Sequence, residues 1–301
     1  GMPSLAAPLI DYLRELEGRG EKYVNVDDEA RKILREFYMR ARNAGPSPVP
    51  QSQAKADVTK TDKPKVIAAK EPAVQQANIE PAQQNQPKAG ELVASGSSTK
   101  DQIASLKRQV AKWPAVTVLT DLRKTMVFSV GNPDADIMLI GEAPGYDEER
   151  LGEPFVGKAG QKLDGILKAM GLERKSTYIT NIVKYRPAMP NQTTNNRQPT
   201  SEELEAFMPF IRKEIELVTP KAIIALGATS AQALLASEES VTNLRGKFHE
   251  FNGIPLRVTY HPSYILLNET NSEKRKIWED MLAVMDLLQM PISEKQRGFF
   301  T

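Results

Sequence analysis

Residues 139–167 read LIGEAPGYDEERLGEPFVGKAGQKLDGIL. The opening residues close an apolar run, DIMLIG (136–141), of strand length and composition. The closing ones, from Gly160 to about Met170, carry a helical pattern. Between them lies a loop rich in glycine and proline. Part of it, GEPFVGKAG (152–160), is one side chain away from the phosphate-cradling pattern G-x-x-x-x-G-K-[ST], with Gly152, Gly157 and Lys158 in register and Ala159 in place of the hydroxyl. Three features argue against a nucleotide site. The strand ends at Gly141, eleven residues before Gly152, instead of running straight into it. Pro154 removes one N–H from the cradle. Ala159 cannot ligate magnesium. The stretch therefore reads as strand, loop and helix shaped for another ligand.

The same alternation recurs downstream. TYITNIV (177–183) reads as a strand, followed by a long loop and a helix from Thr200 to about Val218. That helix opens T-S-E-E, a capping box with Glu203. KAIIALG (221–227) is a strand followed by a helix over Thr229–Leu235. IPLRVTYHP (254–262) is the last strand, and a helix from about Ser272 to Leu288 follows it. A further helix, Gln102–Lys112, precedes them all. The expected fold class is α/β: a three-layer αβα domain over 101–290 with a mostly parallel four-stranded central sheet, and a tail over 291–301. Ligands of such sheets bind at the carboxyl ends of the strands.

Upstream the chain changes character. Leu5, Leu9, Leu13 and Leu16, then Ala30, Ile33, Leu34 and Phe37, recur at helical spacing and predict a small helical hairpin over 1–45. Residues 46–100 contain no Phe, Tyr or Trp and are dominated by Pro, Gln, Ala, Ser and Lys; they are expected to be a disordered linker. On composition alone, the N-terminal segment is a candidate for binding a protein partner.

The bulk numbers exclude several chemistries. None of the 301 residues is cysteine, which removes disulfides, thiolate metal sites and a cysteine nucleophile. Only His249 and His261 are histidines, so a histidine-rich metal site is not expected, and His249 reads as structural. The net charge of +2 neither demands nor excludes nucleic acid. No apolar run has transmembrane length and no signal peptide is evident, so the expectations are no membrane, cytoplasmic residence and a monomer. Gly1 before Met2 reads as an expression scar.

Phe155 sits in a loop between Pro154 and glycines, either as a small hydrophobic plug or as a flat platform for a planar ligand. Here the residues reach a family. Gly141–Gly145 (GEAPG), the acidic turn Asp147–Glu149, Gly152 and Phe155–Gly160 (FVGKAG) stand in order. YITNIVKYRP (178–187), PTSEELEAFMPFIRKEIELVTPKAIIALG (199–227) and YHPSYIL (260–266) follow. Together these resemble the uracil-DNA glycosylase superfamily, closest to its family 4 enzymes, over roughly residues 115–290.

The resemblance implies a DNA repair enzyme that flips uracil out of DNA and hydrolyses its N-glycosidic bond, leaving an abasic site. It implies that Phe155 stacks on the base, with Gly141 and Ala143 beside it, and that Asn181 reads the uracil edge. An amide offers a donor to O4 and an acceptor to N3–H, a pattern cytosine reverses. His261 would donate to uracil O2 as charge develops there. Glu142 and Glu148 are the candidate catalytic carboxylates, Glu148 near the base and Glu142 on the water side or as structural support. Lys158, Lys184, Arg186, the Lys274–Lys276 run and Ser263 are candidate phosphate neighbours. Leu266, within Ile265–Leu267, is the candidate wedge into the gap left by the base.

The chain departs from the family where family 4 carries an iron–sulfur cluster on four cysteines. Tyr185 and Phe207 take two of those places, and the other pair falls near Pro114 to Thr117. The expected cofactor complement is therefore none, with packed side chains in the cluster's place. The loop AMPNQTTNNRQ (188–198) is also longer than the family's. A catalytically silent nucleic-acid-binding or interaction protein that kept the fold is the alternative reading.

Overall fold

A computed structural model describes residues 91–301 of the chain. The expected hairpin over 1–45 lies outside the described residues, as does the expected linker up to residue 90. Of that linker the structure shows only 91–100, where Leu92 is buried in the core and a helix begins at Thr99.

In chain order the described elements start with α1 (Thr99–Val110), α2 (Pro114–Thr117), β1 (Leu122–Met126), β2 (Ser129–Gly131) and β3 (Ile137–Gly141). Then come α3 (Tyr146–Leu151), α4 (Lys158–Ala169), a 3-10 turn (Arg174–Ser176), β4 (Tyr178–Asn181) and β5 (Tyr185–Pro187). The remainder is α5 (Ser201–Val218), β6 (Ala222–Leu226), α6 (Ala228–Leu235), α7 (Val241–Leu244), β7 (Phe248–Phe251), β8 (Ile254–Thr259), α8 (Ser263–Leu267), α9 (Asn271–Leu287) and α10 (Glu294–Arg297).

The central sheet has six strands, ordered β2-β4-β3-β6-β8-β7, not the expected four. The four expected strands are its parallel core, β4, β3, β6 and β8. The two additions are antiparallel edges, β2 on β4 and β7 on β8. Both are short and partly exposed, SVG and FHEF, and so lack the continuous apolar run that marks a buried strand. Outside this sheet, β1 and β5 form a separate antiparallel pair.

Side chains alternate across the sheet and feed two apolar clusters. Met138, Ile140, Tyr178, Ile223, Ala225, Leu256 and Val258 join Leu106 and Val110 of α1 and Phe207, Phe210 and Ile211 of α5. Ile137, Leu139, Ile179, Ile224 and Leu226 join Leu163 and Leu167 of α4 and Trp278, Met281 and Met285 of α9. The period of two in a strand produces this division, one set of residues per face. At about 25 cal/mol per Å² of apolar surface removed from water, the two clusters are the main favourable term in the fold. The α5 capping box forms as its sequence dictates: Thr200 Oγ1 accepts from Glu203 N at 3.1 Å, and Glu203 Oε1 accepts from Thr200 N at 2.8 Å.

Candidate active site

Each parallel strand delivers one site residue at its carboxyl end. β3 ends at Gly141 and hands on Glu142; β4 ends at Asn181, paired in register with Gly141. Gly227 follows β6 and His261 follows β8, and the two tips are joined by Gly227 N donating to Thr259 O at 2.9 Å. Beyond the ladder, Ile182 N and Val183 N donate to Gly141 O and Glu142 O, both at 3.0 Å, so the tips of β3 and β4 stay locked together.

Phe155 reaches this place from a loop with three restraints. Its φ is 55°, a left-handed value that an aromatic residue holds only when its surroundings impose it. Glu148 supplies one restraint. Its Oε1 accepts from Gly145 N at 3.2 Å, and its Oε2 accepts from Val156 N at 3.1 Å and Gly157 N at 2.8 Å, stapling the GEAPG and PFVG segments together. Arg174, on the 3-10 turn, supplies the second, donating to Phe155 O at 2.7 Å and to Pro154 O. Gly160 is the third: a Cβ there would lie 1.8 Å from Phe155 O. The Phe155 ring is buried rather than open to solvent.

The three residues expected to hold a base converge. The Phe155 and His261 rings stand 5.6 Å apart, inclined by 30°. A Cβ on Gly141 would come within 2.4 Å of both Phe155 Cζ and Asn181 Oδ1, so Gly141 is where the ring and the amide meet. Gly227, with φ at 92°, plays the same part beside His261, whose Cβ would be 3.0 Å from a Cβ on Gly227.

The proton position on His261 follows from its neighbours. Ser263 N, which can only donate, lies 3.1 Å from His261 Nδ1, and Ser263 Oγ lies 2.7 Å from it. Nδ1 is therefore an acceptor, and the neutral ring carries its proton on Nε2. Burial lowers the imidazole pKa to about 4, so the ring is neutral at ordinary pH. Glu142 moves the other way: burial raises its carboxyl above the usual carboxylate range, partly offset by a hydrogen bond from Thr229 in the first turn of α6.

The expected DNA contacts divide. Lys158 is exposed at the start of α4, and Ser263 is half-buried with its N–H and its hydroxyl both on His261 Nδ1. Lys184 and Arg186 are buried and are not surface contacts. Lys184 turns inward onto Glu214. Arg186 Nε donates to Asn196 Oδ1 at 2.8 Å and its Nη2 to Thr193 O and Asn195 O, knitting the 188–198 loop to the domain. In the segment after His261, Ile265 is buried, Leu266 half-buried, and Leu267 is 67% exposed. Ala143 is half-buried beside the α5-side cluster. Lys276 pairs with Glu273, and Arg275 donates to Arg297 O and Phe299 O. His249 is tied to Leu244 O at 2.7 Å, away from the strand tips.

Sequence reading missed Thr229, Gly227 and Arg174. Gly227 was visible as the glycine closing KAIIALG. Arg174 gave no signal, because the contacts that hold the Phe155 loop go to main-chain oxygens 19 and 20 residues away.

Comparison with known proteins now fixes the family. The model of the uracil DNA glycosylase superfamily matches residues 128–282, more than half of the chain. The chain belongs to the uracil DNA glycosylase superfamily. The matched span holds all four strand tips. Among curated relatives, a type-4 uracil-DNA glycosylase of Thermotoga maritima is 39% identical over 161 residues, 53% of this chain and 81% of that protein. One from Archaeoglobus fulgidus is 38% identical over 175 residues, 53% of this chain and 85% of that protein. A DNA polymerase of Bacillus phage SP01 is 31% identical over 153 residues, 50% of this chain and 16% of that protein.

The iron–sulfur cluster implied by the type-4 resemblance does not fit these residues. Tyr185 and Phe207, where the resemblance would put two of the cysteines, face each other with ring centroids 6.1 Å apart. One turn on, Phe210 meets Trp113 edge-on at 5.5 Å, and Val116 is buried in the same apolar cluster. Aromatic rings and aliphatic side chains offer iron no thiolate. Among the described residues no group of three or more His, Asp or Glu could hold a metal ion, and none of their helices is long and apolar enough to cross a membrane.

Proposed function

We propose that this chain is a uracil-DNA glycosylase: it takes uracil out of the DNA stack and hydrolyses its N-glycosidic bond, leaving an abasic site. The convergence of Phe155, Asn181 and His261 at the tips of the parallel strands carries this reading.

Cleavage leaves an oxocarbenium-like sugar and a uracil anion. Phe155 supplies a stacking face, a contact that contributes about 1–3 kcal/mol per base. The Asn181 amide pairs with O4 and N3–H of uracil and is mismatched to cytosine. His261, neutral with its proton on Nε2, donates to O2 as the leaving base gains charge. A neutral donor here leaves the base as an anion rather than protonating it first.

Glu142, with its raised pKa and its place beside β3, is the carboxylate assigned to water, which it orients and deprotonates as the glycosidic bond breaks. Glu148 is assigned to holding the Phe155 loop, since both its oxygens are taken up by main-chain N–H groups. Lys158 is the assigned phosphate contact, while the Ser263 hydroxyl, whose one proton goes to His261 Nδ1, is assigned to holding that ring. Leu267 takes the wedge role in place of Leu266 because it is the exposed apolar side chain of α8. No step requires a metal or cluster.

Purified protein incubated in EDTA with oligonucleotides carrying uracil opposite G, opposite A and in single strands, followed by alkali, is expected to give scission at uracil. Intact strands in all three cases would favour the silent nucleic-acid-binding alternative.

A further inference from the structure

The stretch NIVK (181–184) carries a lysine whose chemistry the proposed base site does not use directly. Lys184 has no exposed surface, and its Nζ makes three hydrogen bonds: 2.6 Å to Glu214 Oε2, 2.7 Å to Thr180 Oγ1 and 2.7 Å to the main-chain oxygen of Asn181. It also lies 4.5 Å from the Phe128 ring centroid. Glu214, on α5, is equally buried; its Oε1 lies 2.7 Å from Tyr178 Oη and 2.9 Å from Thr180 Oγ1.

The pleat of β4 gives this network its meaning. Tyr178 and Thr180 point toward α5, whereas Ile179 and Asn181 point to the opposite face, where Phe155 lies. The β3–β4 pairing stops at Gly141 and Asn181, so the Asn181 carbonyl is the last on its strand. Lys184 takes hold of that carbonyl from the α5 side while the Asn181 amide faces the pocket.

A buried ion pair is a poor way to add stability, because desolvation offsets much of the attraction and an apolar pair would tie α5 to β4 at least as well. An apolar pair has no donor for the Asn181 carbonyl. We propose that Lys184, anchored by Glu214, is a positioning residue that fixes the backbone at Asn181 and with it the aim of the base-reading amide. This deepens the glycosylase reading and rests on it.

The test is the full-length Lys184→Met/Glu214→Gln double variant, which removes the charge pair and keeps its volume. The readouts are thermal unfolding, kcat and KM on a uracil-containing oligonucleotide, inhibition by free uracil, and affinity for a uracil-free duplex. The expected result is cooperative unfolding, a uracil inhibition constant raised and a kcat lowered by about tenfold or more, and duplex affinity unchanged within about twofold. A purely architectural pair would change the melting temperature and leave the inhibition constant of the folded protein alone. Should the double variant not fold, Lys184→Gln, a shorter and uncharged donor, is measured in the same way and is expected to shift the same constants. A folded variant whose uracil inhibition and kcat match the wild type overturns the positioning role. An inactive wild type on the same substrates would instead overturn the glycosylase reading beneath it.

Discussion

Gly141 stands at the tip of β3, and a Cβ there would come within 2.4 Å of both the Phe155 ring and the Asn181 amide. Gly141→Ala is therefore expected to push the ring and the amide apart. Misplacing reacting groups by about 1 Å costs on the order of a hundredfold in rate, and kcat/KM on uracil-containing DNA is expected to fall by about that much. A variant with wild-type kcat/KM would show that the strand tip does not border the base. His261 gives a prediction in pH. Its folded-state pKa, about 4, lies below the ordinary 6.5, so the unfolded chain binds a proton first as pH falls. The stability this supplies is complete above pH 6.5 and is lost as pH falls toward 4. Thermal melts across that window are expected to fall more steeply for the wild type than for His261→Gln; equal slopes would contradict a buried neutral ring. Glu142 is shifted the other way, yet its effect on activity also falls on the acid side. With its carboxyl raised by burial, the acid limb of kcat/KM lies above the usual carboxylate range, and Glu142→Gln removes that limb along with most of the activity.

Among the elements, α5 carries both a capping box and one half of an aromatic contact, Phe207 against Tyr185. Thr200→Ala deletes the cap oxygen that accepts from Glu203 N and is expected to cost about 1 kcal/mol, read as a lower melting temperature. Phe207→Ala empties a fully buried site against Tyr185 and is expected to cost about 3–5 kcal/mol while leaving kcat per folded molecule intact. Loss of kcat without loss of stability would move that ring into the catalytic machinery. The four parallel strands and the α5 cap were legible in the sequence because each is local: an apolar run, or a Thr and a Glu three residues apart. The edge strands β2 and β7 were not, because three or four half-exposed residues become a strand only when a neighbour offers its ladder. The same distinction explains Lys184 and Arg186. Next to Asn181 in a nucleic-acid-binding motif they read as phosphate contacts; their burial depends on Glu214 and on the 193–196 loop, which no local pattern announces.

For the whole molecule, the sheet brings together residues from sequence positions 141 to 261 at the carboxyl ends of its parallel strands; the proposed base contacts come from two of the four tips, Asn181 and His261, and from the loop that carries Phe155. Phe155, Asn181 and His261 were readable as a set because each lies in a motif at a strand tip or in the loop that follows one. Their supports, Arg174, Gly227 and Thr229, emerge only with the three-dimensional arrangement. The most direct measurement is a single-turnover excision assay on a uracil-containing oligonucleotide, comparing the wild type with Phe155→Ala, Asn181→Ala and His261→Ala. Uracil release by the wild type, with each variant slower by about a hundredfold or more and still folded by thermal melt, is the expected result. Wild-type rates in the Asn181→Ala and His261→Ala chains, or no uracil release by the wild type, would contradict it.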